Sequence, residues 1–376
     1  MKYHRRRTVD PPENIRHSSC RAGVAGRRES AALFLERKEI LMPGFVEVAS
    51  APRNSRPDIT FEPDDEIMKG ANLLGRVIFG ARGFAPEMRD GVPTLGVPML
   101  TDAEAGFQEI FAASGPVMSG RDGGLAYAVD GRHLFCTAQV AERTVYRDAA
   151  RIAYDSAFEL ATRLGYPNVL RMWNLVGGII DDNADGMEIY RDFCIGRAEA
   201  FGLWAGRIGR IPAATGIGTR GRGVYLYFLA GRADANVRHL ENPRQTPAYH
   251  YPERYGPQAP SFTRATLAEG TLYISGTASI LGDETVCLDD VAGQLAVTLD
   301  NISALICEDN LRRAGTGSGY TLRDLDLIKV YVRRAADIPL VRARCEEVFS
   351  PEAQVAYLNV DICRPDLLVE IEGMVP

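Results

Sequence analysis

The stretch Cys363-Arg364-Pro365-Asp366-Leu367-Leu368-Val369-Glu370-Ile371-Glu372 lies near the C-terminus of the 376-residue chain and decides its fold. Side chains of a strand alternate between its two faces, so Val369 and Ile371 share one face while Glu370 and Glu372 share the other. The apolar face predicts a core strand. An acidic pair beside that core is costly unless it faces a cleft or solvent. The stretch therefore predicts a terminal core strand that presents two carboxylates to a cleft or to the solvent.

The composition is typical of a soluble globular protein. Apolar residues make up 46% of the chain, and no apolar run approaches the ~20 residues that a membrane-spanning helix needs. The formal net charge of −6 does not favour nucleic-acid binding. The chain has 39 Arg and only four Lys, a bias so broad that the number of Arg alone is no evidence for an anionic ligand. We expect no membrane contact and no nucleic-acid partner.

The cysteines and histidines argue against several kinds of site. The seven Cys are scattered without a CxxC pair, which predicts free thiols in a reducing compartment and hence a cytoplasmic location. The sequence has neither an HExxH spacing nor a GxSxG motif. We therefore expect neither a metal site nor a Ser-His-Asp hydrolase.

The chain divides into three predicted parts. Residues 1–60 form a disordered or extended N-terminal arm, in which Met42 is a candidate for the natural start. Residues 61–255 and 256–376 each predict the order strand, helix, strand, helix, strand, as expected of a duplicated plan. That order is typical of an α+β fold, in which helices pack on one face of a mostly antiparallel sheet.

Hydrophobic periodicity gives the bounds of the predicted elements. In the first half the strands are predicted at 133–139, 169–176 and 224–229, and the helices at 147–164 and 188–204. In the second half the strands are predicted at 271–276, 325–333, 355–363 and 367–372, with one helix after Asp289 or Asp290 and another near Pro339.

Two irregular stretches have functional alternatives. The glycine-rich residues 212–223 lack the lysine of a phosphate-binding loop, so they predict a turn before the strand at Val224. Residues 241–260, here called the connector, are rich in Pro and Tyr. A stretch so long and irregular is usually either a linker or a functional segment. The residues in or just after the connector that belong either to a solvated linker or to a cover over a cleft are Arg244, Tyr251, Arg254 and Arg264.

The strand predicted at 325–333 places Lys329, Tyr331 and Arg333 on one face. They form either the solvent-exposed polar face of the strand or one side of a cleft for carboxylates. The planar guanidinium group of Arg suits the second alternative because it binds a carboxylate through two hydrogen bonds.

The second half resembles the RidA (YjgF)-like family from Gly270 onward. The resemblance depends on the segments Leu272-Tyr-Ile-Ser-Gly-Thr, Leu327-Ile-Lys-Val-Tyr-Val and Leu367-Leu-Val-Glu-Ile-Glu. It implies that Glu370 lies in a catalytic cleft. The imine deaminases of that family have an Arg in a Pro-Ala-Arg segment, where this chain has Pro351-Glu-Ala-Gln354. That difference argues against hydrolysis of imines or enamines.

Residues 65–376 also resemble the chorismatases, which split pyruvate from chorismate and consist of two RidA-like halves in one chain. The resembling segments are Arg171-Met-Trp-Asn-Leu-Val-Gly-Gly-Ile, Tyr190-Arg-Asp-Phe-Cys-Ile-Gly-Arg, Pro212-Ala-Ala-Thr-Gly-Ile-Gly and Glu241-Asn-Pro-Arg-Gln-Thr-Pro-Ala-Tyr-His-Tyr-Pro. The resemblance implies that Glu370 protonates the methylene carbon of the enolpyruvyl group. A carboxyl group that does so near neutral pH needs a raised pKa, which burial beside Val369 and Ile371 would supply.

Chorismate has two carboxylates, so its pocket needs cationic or hydrogen-bonding side chains, and the reaction requires neither a metal nor an organic cofactor. The expected substrate-binding residues are Arg244, Tyr251, Arg264, Lys329, Tyr331 and Arg333.

Two products are known in the family. Either water captures the cation, which gives a dihydroxycyclohexadiene carboxylate, or the substrate's own hydroxyl takes part and the ring aromatises to 3-hydroxybenzoate. The positions matching Gly276 and Cys363 are thought to distinguish the types, and Gly with Cys resembles the 3-hydroxybenzoate type. Otherwise Gly276 belongs to a tight strand end and Cys363 is a small core residue.

The sequence thus predicts a 3-hydroxybenzoate-forming chorismatase. The alternatives are a hydrolytic chorismatase, a RidA-like binding protein without turnover, and a disfavoured imine deaminase. We expect a monomer, because two halves in one chain can form the cleft between them.

Overall fold

A computed structural model describes residues 46–48, 59–63, 72–101 and 104–376. Apart from residues 46–48 and 59–60, the predicted N-terminal arm, with Met42, lies outside the described residues. The described helices are α1 (Arg147–Leu164), α2 (Ile189–Leu203), α3 (Val291–Ile306), α4 (Glu308–Arg313) and α5 (Ile338–Val348).

The described strands form three large sheets and one small hairpin. The strands are β1 (Val46–Val48), β2 (Ile59–Pro63), β3 (Leu73–Gly80), β4 (Phe84–Arg89), β5 (Val92–Pro98), β6 (Phe107–Ala112), β7 (Val117–Asp122), β8 (Leu125–Val129), β9 (His133–Val140), β10 (Asn168–Gly177), β11 (Ala213–Thr219), β12 (Val224–Gly231), β13 (Val237–Leu240), β14 (Ala265–Ala268), β15 (Thr271–Ala278), β16 (Ile280–Leu281), β17 (Glu284–Thr285), β18 (Leu327–Val332), β19 (Gln354–Asn359) and β20 (Val369–Val375).

Two of the sheets have the predicted α+β arrangement. The seven-stranded sheet has the order β1-β7-β8-β9-β12-β10-β11, and the six-stranded sheet has the order β13-β14-β15-β20-β18-β19. Each contains one parallel pair, β10 with β11 and β18 with β19, among antiparallel neighbours. Helices α1 and α2 pack on one face of the first sheet, and α3 to α5 pack on one face of the second. The predicted fold class is confirmed. The domain boundary after residue 255 stays a prediction.

The third sheet has no counterpart among the predicted elements. Its order is β2-β6-β3-β5-β4, and it packs on the helix-free faces of the two other sheets. Its strands were missed because Pro93, Gly96 and Pro98 interrupt the apolar residues of β5 and Pro86 interrupts β4, and Pro and Gly are depleted in strands. Irregular pairing also interrupts β3 between Leu73 and Gly75, and β4 between Phe84 and Glu87.

The turn predicted at residues 212–223 is wrong over most of its length. Ala213–Thr219 forms strand β11, and a turn follows only before Val224. The glycines of this strand serve close approach, because a Cβ at Gly216 would lie 2.9 Å from the ring of Tyr190 and one at Gly218 would meet the backbone of Asp361.

Strand β11 lies beside β15, so the edge of the seven-stranded sheet runs along the six-stranded sheet. The backbone N–H of Ala214 donates to Ser275 Oγ at 2.9 Å, and the backbone N–H of Gly276 donates to Thr215 Oγ1 at 3.1 Å. Side-chain hydroxyl groups thus connect two strands that are not joined by a continuous ladder of backbone hydrogen bonds. Where they separate, a cleft opens between the sheets.

Within the described residues, no helix is both long enough and apolar enough to cross a membrane.

Helix packing supplies a test of the fold. A Cβ at Gly196 in α2 would overlap the carbonyl oxygen of Arg147 at the start of α1 and lie 3.0 Å from the backbone nitrogen of Arg151. We expect Gly196→Ala to lower the free energy of unfolding by about 1–3 kcal/mol, because overpacking exceeds the helix-propensity gain. Gly202→Ala, on the same helix with nothing within 4 Å of its Cβ, should instead raise it by about 0.5–1 kcal/mol. Urea unfolding measures both, and equal effects would contradict the close crossing.

Candidate functional site

The cleft between β11 and β15 has a volume of about 300 Å³. Small residues from the two strands leave room in it: Ala214 and Gly216 on one side and Gly276 and Ala278 on the other. The remaining lining residues that matter below come from α2, from the connector, from the segment between the connector and β14, and from the C-terminal stretch: Tyr190, Tyr251, Arg254, Tyr255, Phe262, Arg264, Cys363, Arg364 and Glu370.

Glu370 is the carboxylic acid that strand β20 presents to this cleft. Glu370 is 4% exposed. Its side chain projects from the helix-free face of the strand, whereas Val369 and Ile371 project from the opposite face. Cys363 Sγ lies 4.0 Å from Glu370 Oε2. A carboxyl group in such apolar, enclosed surroundings favours its neutral form.

Gly276 makes room for this carboxyl group. A Cβ at this position would overlap Glu370 Oε1 and lie 2.9 Å from Glu370 Cδ and 3.3 Å from Thr215 Oγ1. Any larger residue therefore has to displace the Glu370 carboxyl group from its present position.

Glu372, two residues further along β20, has quite different surroundings. Its Oε2 accepts hydrogen bonds from Arg171 Nη2 at 2.9 Å and from the Thr215 hydroxyl. Its Oε1 accepts from Trp173 Nε1 at 2.8 Å and from Lys329 Nζ at 3.1 Å. Four donors, two of them cationic, suit the ionised form.

The two carboxyl groups consequently titrate in opposite directions. Burial raises the pKa of Glu370 to about 8, repulsion from the Glu372 charge acts in the same direction, and Arg171 and Arg264 oppose both. Burial acts on Glu372 as well, but Lys329, Arg171 and the Thr215 hydrogen bond outweigh it and lower the pKa of Glu372. At neutral pH the cleft contains a protonated acid, with an ionised carboxylate behind it.

Arg264 and Arg364 place two guanidinium groups in the cleft. Arg264 Nη2 donates to the Tyr251 hydroxyl at 2.8 Å and to the Thr246 carbonyl oxygen at 2.9 Å. Arg364 Nη1 donates to the Asp283 carbonyl oxygen at 2.9 Å. Arg264 Nε and Arg364 Nη2 are buried and have no protein partner. Buried donors without partners are rare and costly, so each marks a place where a ligand oxygen can bind.

Tyr255 fixes the second of these groups. The Arg364 guanidinium carbon lies 3.9 Å from the centroid of the Tyr255 ring and 5.1 Å from that of Tyr251. Stacking of a cation on an aromatic face holds the plane of the guanidinium group. The connector thus covers one side of the cleft.

The structure brings together five of the residues that the sequence analysis selected. Tyr251, Arg264, Gly276, Cys363 and Glu370 all line the cleft. Their roles in binding and catalysis stay predictions.

Lys329 and Tyr331 do not line the cleft, contrary to the prediction. Both are buried, at 2% and 1% exposure, on the face of β18 that the five-stranded sheet covers. Lys329 Nζ donates to Glu109 Oε2 at 2.8 Å as well as to Glu372. The alternation along β18 was correct, but a third sheet occupies the side where a cleft was expected.

Arg244 and Arg333 also lie outside the residues that line the cleft. Arg244 pairs with Asp300, Nη1 to Oδ2 at 3.4 Å. Arg333 pairs with Asp361, Nε to Oδ1 at 3.4 Å, and donates to the Pro365 carbonyl oxygen. Both have protein partners at the surface instead of an open place for a substrate carboxylate.

Sequence reasoning missed Arg364, Tyr255 and Tyr190 as cleft residues. Arg364 stands next to Cys363 in the stretch that opened the analysis, and Tyr255 lies within the connector. Both residues could therefore have been predicted from their closeness in sequence to predicted site residues. Tyr190 opens one of the segments that resemble the chorismatases, but its contact with Gly216 joins α2 to a strand that the sequence did not predict.

Among the described residues, no group of three or more His, Cys, Asp or Glu side chains is placed to hold a metal ion. The expectation of a reaction without metal or organic cofactor stays a prediction.

Comparisons with known proteins identify what the chain is similar to. A family model described as "Chorismatase FkbO/Hyg5-like, N-terminal" matches residues 109–230. A 3-hydroxybenzoate synthase from Streptomyces hygroscopicus is 46% identical over 314 residues, which are 81% of this chain and 92% of that protein. A chorismatase from the same organism is 45% identical over 307 residues, 81% of this chain and 89% of that protein. A crystal structure of a chorismatase matches with a TM-score of 0.81 and 45% identity, and covers 85% of this chain and 98% of that one.

The raised pKa of Glu370 predicts a pH-dependent stability. The ordinary pKa is 4.5 and the folded one is about 8, so the native state binds the extra proton between these values. The stability that this carboxyl group contributes is complete below about pH 4.5 and is lost as the pH rises through about 8. Glu370→Gln keeps a neutral side chain at every pH. Between pH 5 and pH 9, the free energy of unfolding of this variant should increase relative to that of the wild type by about a few kcal/mol.

Urea unfolding at several pH values measures this difference. Glu372→Gln is the control with the opposite sign, because the pKa of Glu372 is lowered and its carboxylate stabilises the fold near neutral pH. A difference between Glu370→Gln and the wild type that stays constant from pH 5 to pH 9 would show that Glu370 titrates normally.

Proposed function

The chain belongs to the chorismatase family, and from this premise we propose that it cleaves chorismate to 3-hydroxybenzoate and pyruvate. The observation that supports this most directly is Glu370, a buried acid with its pKa raised to about 8. Four Arg line the same cleft, and two of them, Arg264 and Arg364, retain a buried donor without a protein partner. The relative named 3-hydroxybenzoate synthase supports the choice of product.

Chorismate suits the cleft in size and charge. The volume of about 300 Å³ lies at the lower end of the range for small-molecule sites. Arg264 and Arg364 each retain one buried donor for a carboxylate, and chorismate has two carboxylates. We propose that the two guanidinium groups bind one carboxylate each, with Tyr251 and Tyr255 fixing their orientation.

We propose that Glu370 is the general acid. Its proton goes to the methylene carbon of the enolpyruvyl group, and the electron pair of that double bond forms the new C–H bond. The carbon attached to the ether oxygen becomes an oxocarbenium ion. An acid with a pKa near the working pH both holds its proton before the reaction and releases it readily.

Capture by the substrate's own hydroxyl completes the reaction. The hydroxyl oxygen bonds to the oxocarbenium carbon and its proton is released. The bond between this oxygen and ring carbon C4 then breaks as C3 loses its proton, which aromatises the ring, and the resulting hemiketal collapses to pyruvate and a phenolate. Of the two released protons, one goes to the phenolate and the other restores Glu370. 3-Hydroxybenzoate and pyruvate together contain the same atoms as chorismate, so no water is consumed.

Gly276 and Cys363 support this route over hydrolysis. The Glu370 carboxyl group lies between these two residues, and a larger side chain at position 276 would displace the carboxyl group.

Gln354 supports cleavage of chorismate over hydrolysis of an imine. It stands where RidA-like imine deaminases have an Arg, and its Oε1 accepts a hydrogen bond from the backbone N–H of Phe61 at 2.6 Å. It is absent from the residues that line the cleft.

We further propose that the enzyme acts as a monomer in the cytoplasm. The cleft is enclosed between two sheets of the same chain, which supports the first point. The six cysteines that the structure describes are free thiols, which supports the second.

Incubation with chorismate tests the proposal. Pyruvate is followed with lactate dehydrogenase, and the aromatic products are separated by chromatography. We expect pyruvate and 3-hydroxybenzoate in equal amounts, and a drop of about 10²- to 10⁴-fold in kcat for Glu370→Gln, the range for loss of a general acid. The variant should still bind chorismate, because the guanidinium groups are unchanged.

Each alternative predicts a different result in that experiment. A dihydroxycyclohexadiene carboxylate in place of 3-hydroxybenzoate would indicate the hydrolytic type. Binding of chorismate without any pyruvate would indicate a binding protein. Unchanged pyruvate release by Glu370→Gln would remove Glu370 from the acid role.

The product ratio tests Gly276. Because a Cβ there would overlap the Glu370 carboxyl group, Gly276→Ala should displace the acid, slow the reaction and shift products toward the dihydroxycyclohexadiene carboxylate. Gly216→Ala is the matched control, since its Cβ would meet the Tyr190 ring and narrow the same cleft away from Glu370. We expect slower turnover with unchanged products for the control. The same product ratio in both variants would contradict a specific role of Gly276.

A further inference from the structure

A buried cluster of charges lies behind the cleft, outside the residues proposed to touch chorismate. Lys329 Nζ lies between Glu109 Oε2, at 2.8 Å, and Glu372 Oε1, at 3.1 Å. The Tyr227 hydroxyl donates to Glu109 Oε2 at 2.7 Å. Each of the three charged residues is at most 4% exposed. None of these residues has a role in the reaction proposed above.

Glu372 connects the cluster to the proposed acid. It belongs to the same strand as Glu370 and to the same face, because the two residues are separated by one position. Thr215 forms a second connection, since its hydroxyl donates to Glu372 Oε2 and accepts the backbone N–H of Gly276, the residue against which the Glu370 carboxyl group packs.

The Glu372 carboxylate cannot rotate away or be neutralised cheaply. Both of its oxygens accept two hydrogen bonds, and two of the four donors are the cations of Arg171 and Lys329. A carboxylate held in this way stays ionised and fixed in position. In a buried site of low dielectric constant, the repulsion that a fixed charge exerts on a neighbouring carboxyl group is stronger than in water.

We propose that Glu372, held by Lys329 and Arg171, is a positioning residue whose fixed negative charge acts together with burial to keep Glu370 protonated at neutral pH. This inference rests on the proposed function of Glu370 as the general acid. According to this inference, a cluster that does not contact the substrate helps to keep Glu370 protonated.

The other groups around Glu370 do not replace this effect. Arg171 from β10 and Arg264 from the segment before β14 favour the ionised form of Glu370 and so oppose it. Tyr331 of β18 and Tyr190 of α2 are neutral at ordinary pH, because burial raises the pKa of both well above 10. Burial likewise raises the pKa of the Cys363 thiol, so it too is neutral. Glu372 is the anion that acts on Glu370 from its own strand.

A carbon-detected NMR titration of the chain labelled with ¹³C at the glutamate carboxyl carbons tests the proposal without requiring turnover. The Glu370 signal is assigned by its absence in Glu370→Gln. In the wild type we expect this signal to titrate near pH 8. In Glu372→Gln we expect its pKa to fall by about one unit or more, because a nearby buried charge has been removed.

Glu109→Gln is the matched control. It makes the same chemical change in the same cluster, but its hydrogen bonds go to Lys329 and Tyr227, and Lys329 separates it from Glu372. A cluster with a merely structural role would give two destabilised variants with equal, small changes in the Glu370 titration. We expect the shift in Glu109→Gln to be less than half of that in Glu372→Gln. Glu372→Asp, which retains the charge, should restore most of the wild-type value.

Turnover gives a second readout. The alkaline limb of kcat/KM for pyruvate release should move to lower pH in Glu372→Gln by the same amount as the NMR pKa, and should stay in place in Glu109→Gln. If the wild type releases no pyruvate from chorismate, the proposed function fails while the NMR titration still decides the role of Glu372. A wild-type Glu370 signal that titrates near 4.5 overturns the inference even if Glu372→Gln does not fold, and so does an unshifted signal in a folded Glu372→Gln.

Discussion

A single buried ammonium group joins the three sheets of this protein. Lys329 comes from the six-stranded sheet, Glu109 from the five-stranded sheet, and Tyr227, which hydrogen-bonds to both, from the seven-stranded sheet. A buried charge is tolerated only when it is paired and hydrogen-bonded, and loss of one partner costs about 3–5 kcal/mol. The apolar residues between the sheets would permit sliding, whereas these contacts form in one relative arrangement only. The geometry of the cleft between β11 and β15 depends on that arrangement, because the two strands belong to different sheets.

The same cluster explains how one strand presents two carboxyl groups in different states. Glu370 and Glu372 share a face of β20, yet the first is enclosed by small and apolar residues and the second accepts four hydrogen bonds. Environment, not residue type, decides which carboxyl group keeps its proton. The strand that forms part of the core also presents the proposed general acid, so a change in this strand would affect both stability and the proposed activity.

Sequence patterns predicted the long helices and the central strands of the two helix-covered sheets, because these segments are long and rich in apolar residues. Helix α1, for example, has the predicted bounds Arg147–Leu164. The five-stranded sheet was missed, and this omission caused the largest error in the site. The pattern along β18 placed Lys329 and Tyr331 on the correct face, but only the tertiary structure shows that another sheet covers that face. Glu370 and Gly276, which resemblance selected, do line the cleft, whereas Arg364 required knowledge of how the connector folds over it.

The place of Arg364 has an evolutionary consequence. Its guanidinium group stacks on Tyr255 of the connector, and it donates to Asp283 and Thr285 of the β16–β17 hairpin. Two loops distant in sequence thus orient one cation, and Arg254 of the connector pairs with Asp283 and Glu284 of the same hairpin. A change in either loop alone would move the guanidinium group of Arg364 in the cleft. Relatives with altered substrates should therefore differ in both loops together, and a connector transplanted between them should work only when its hairpin accompanies it.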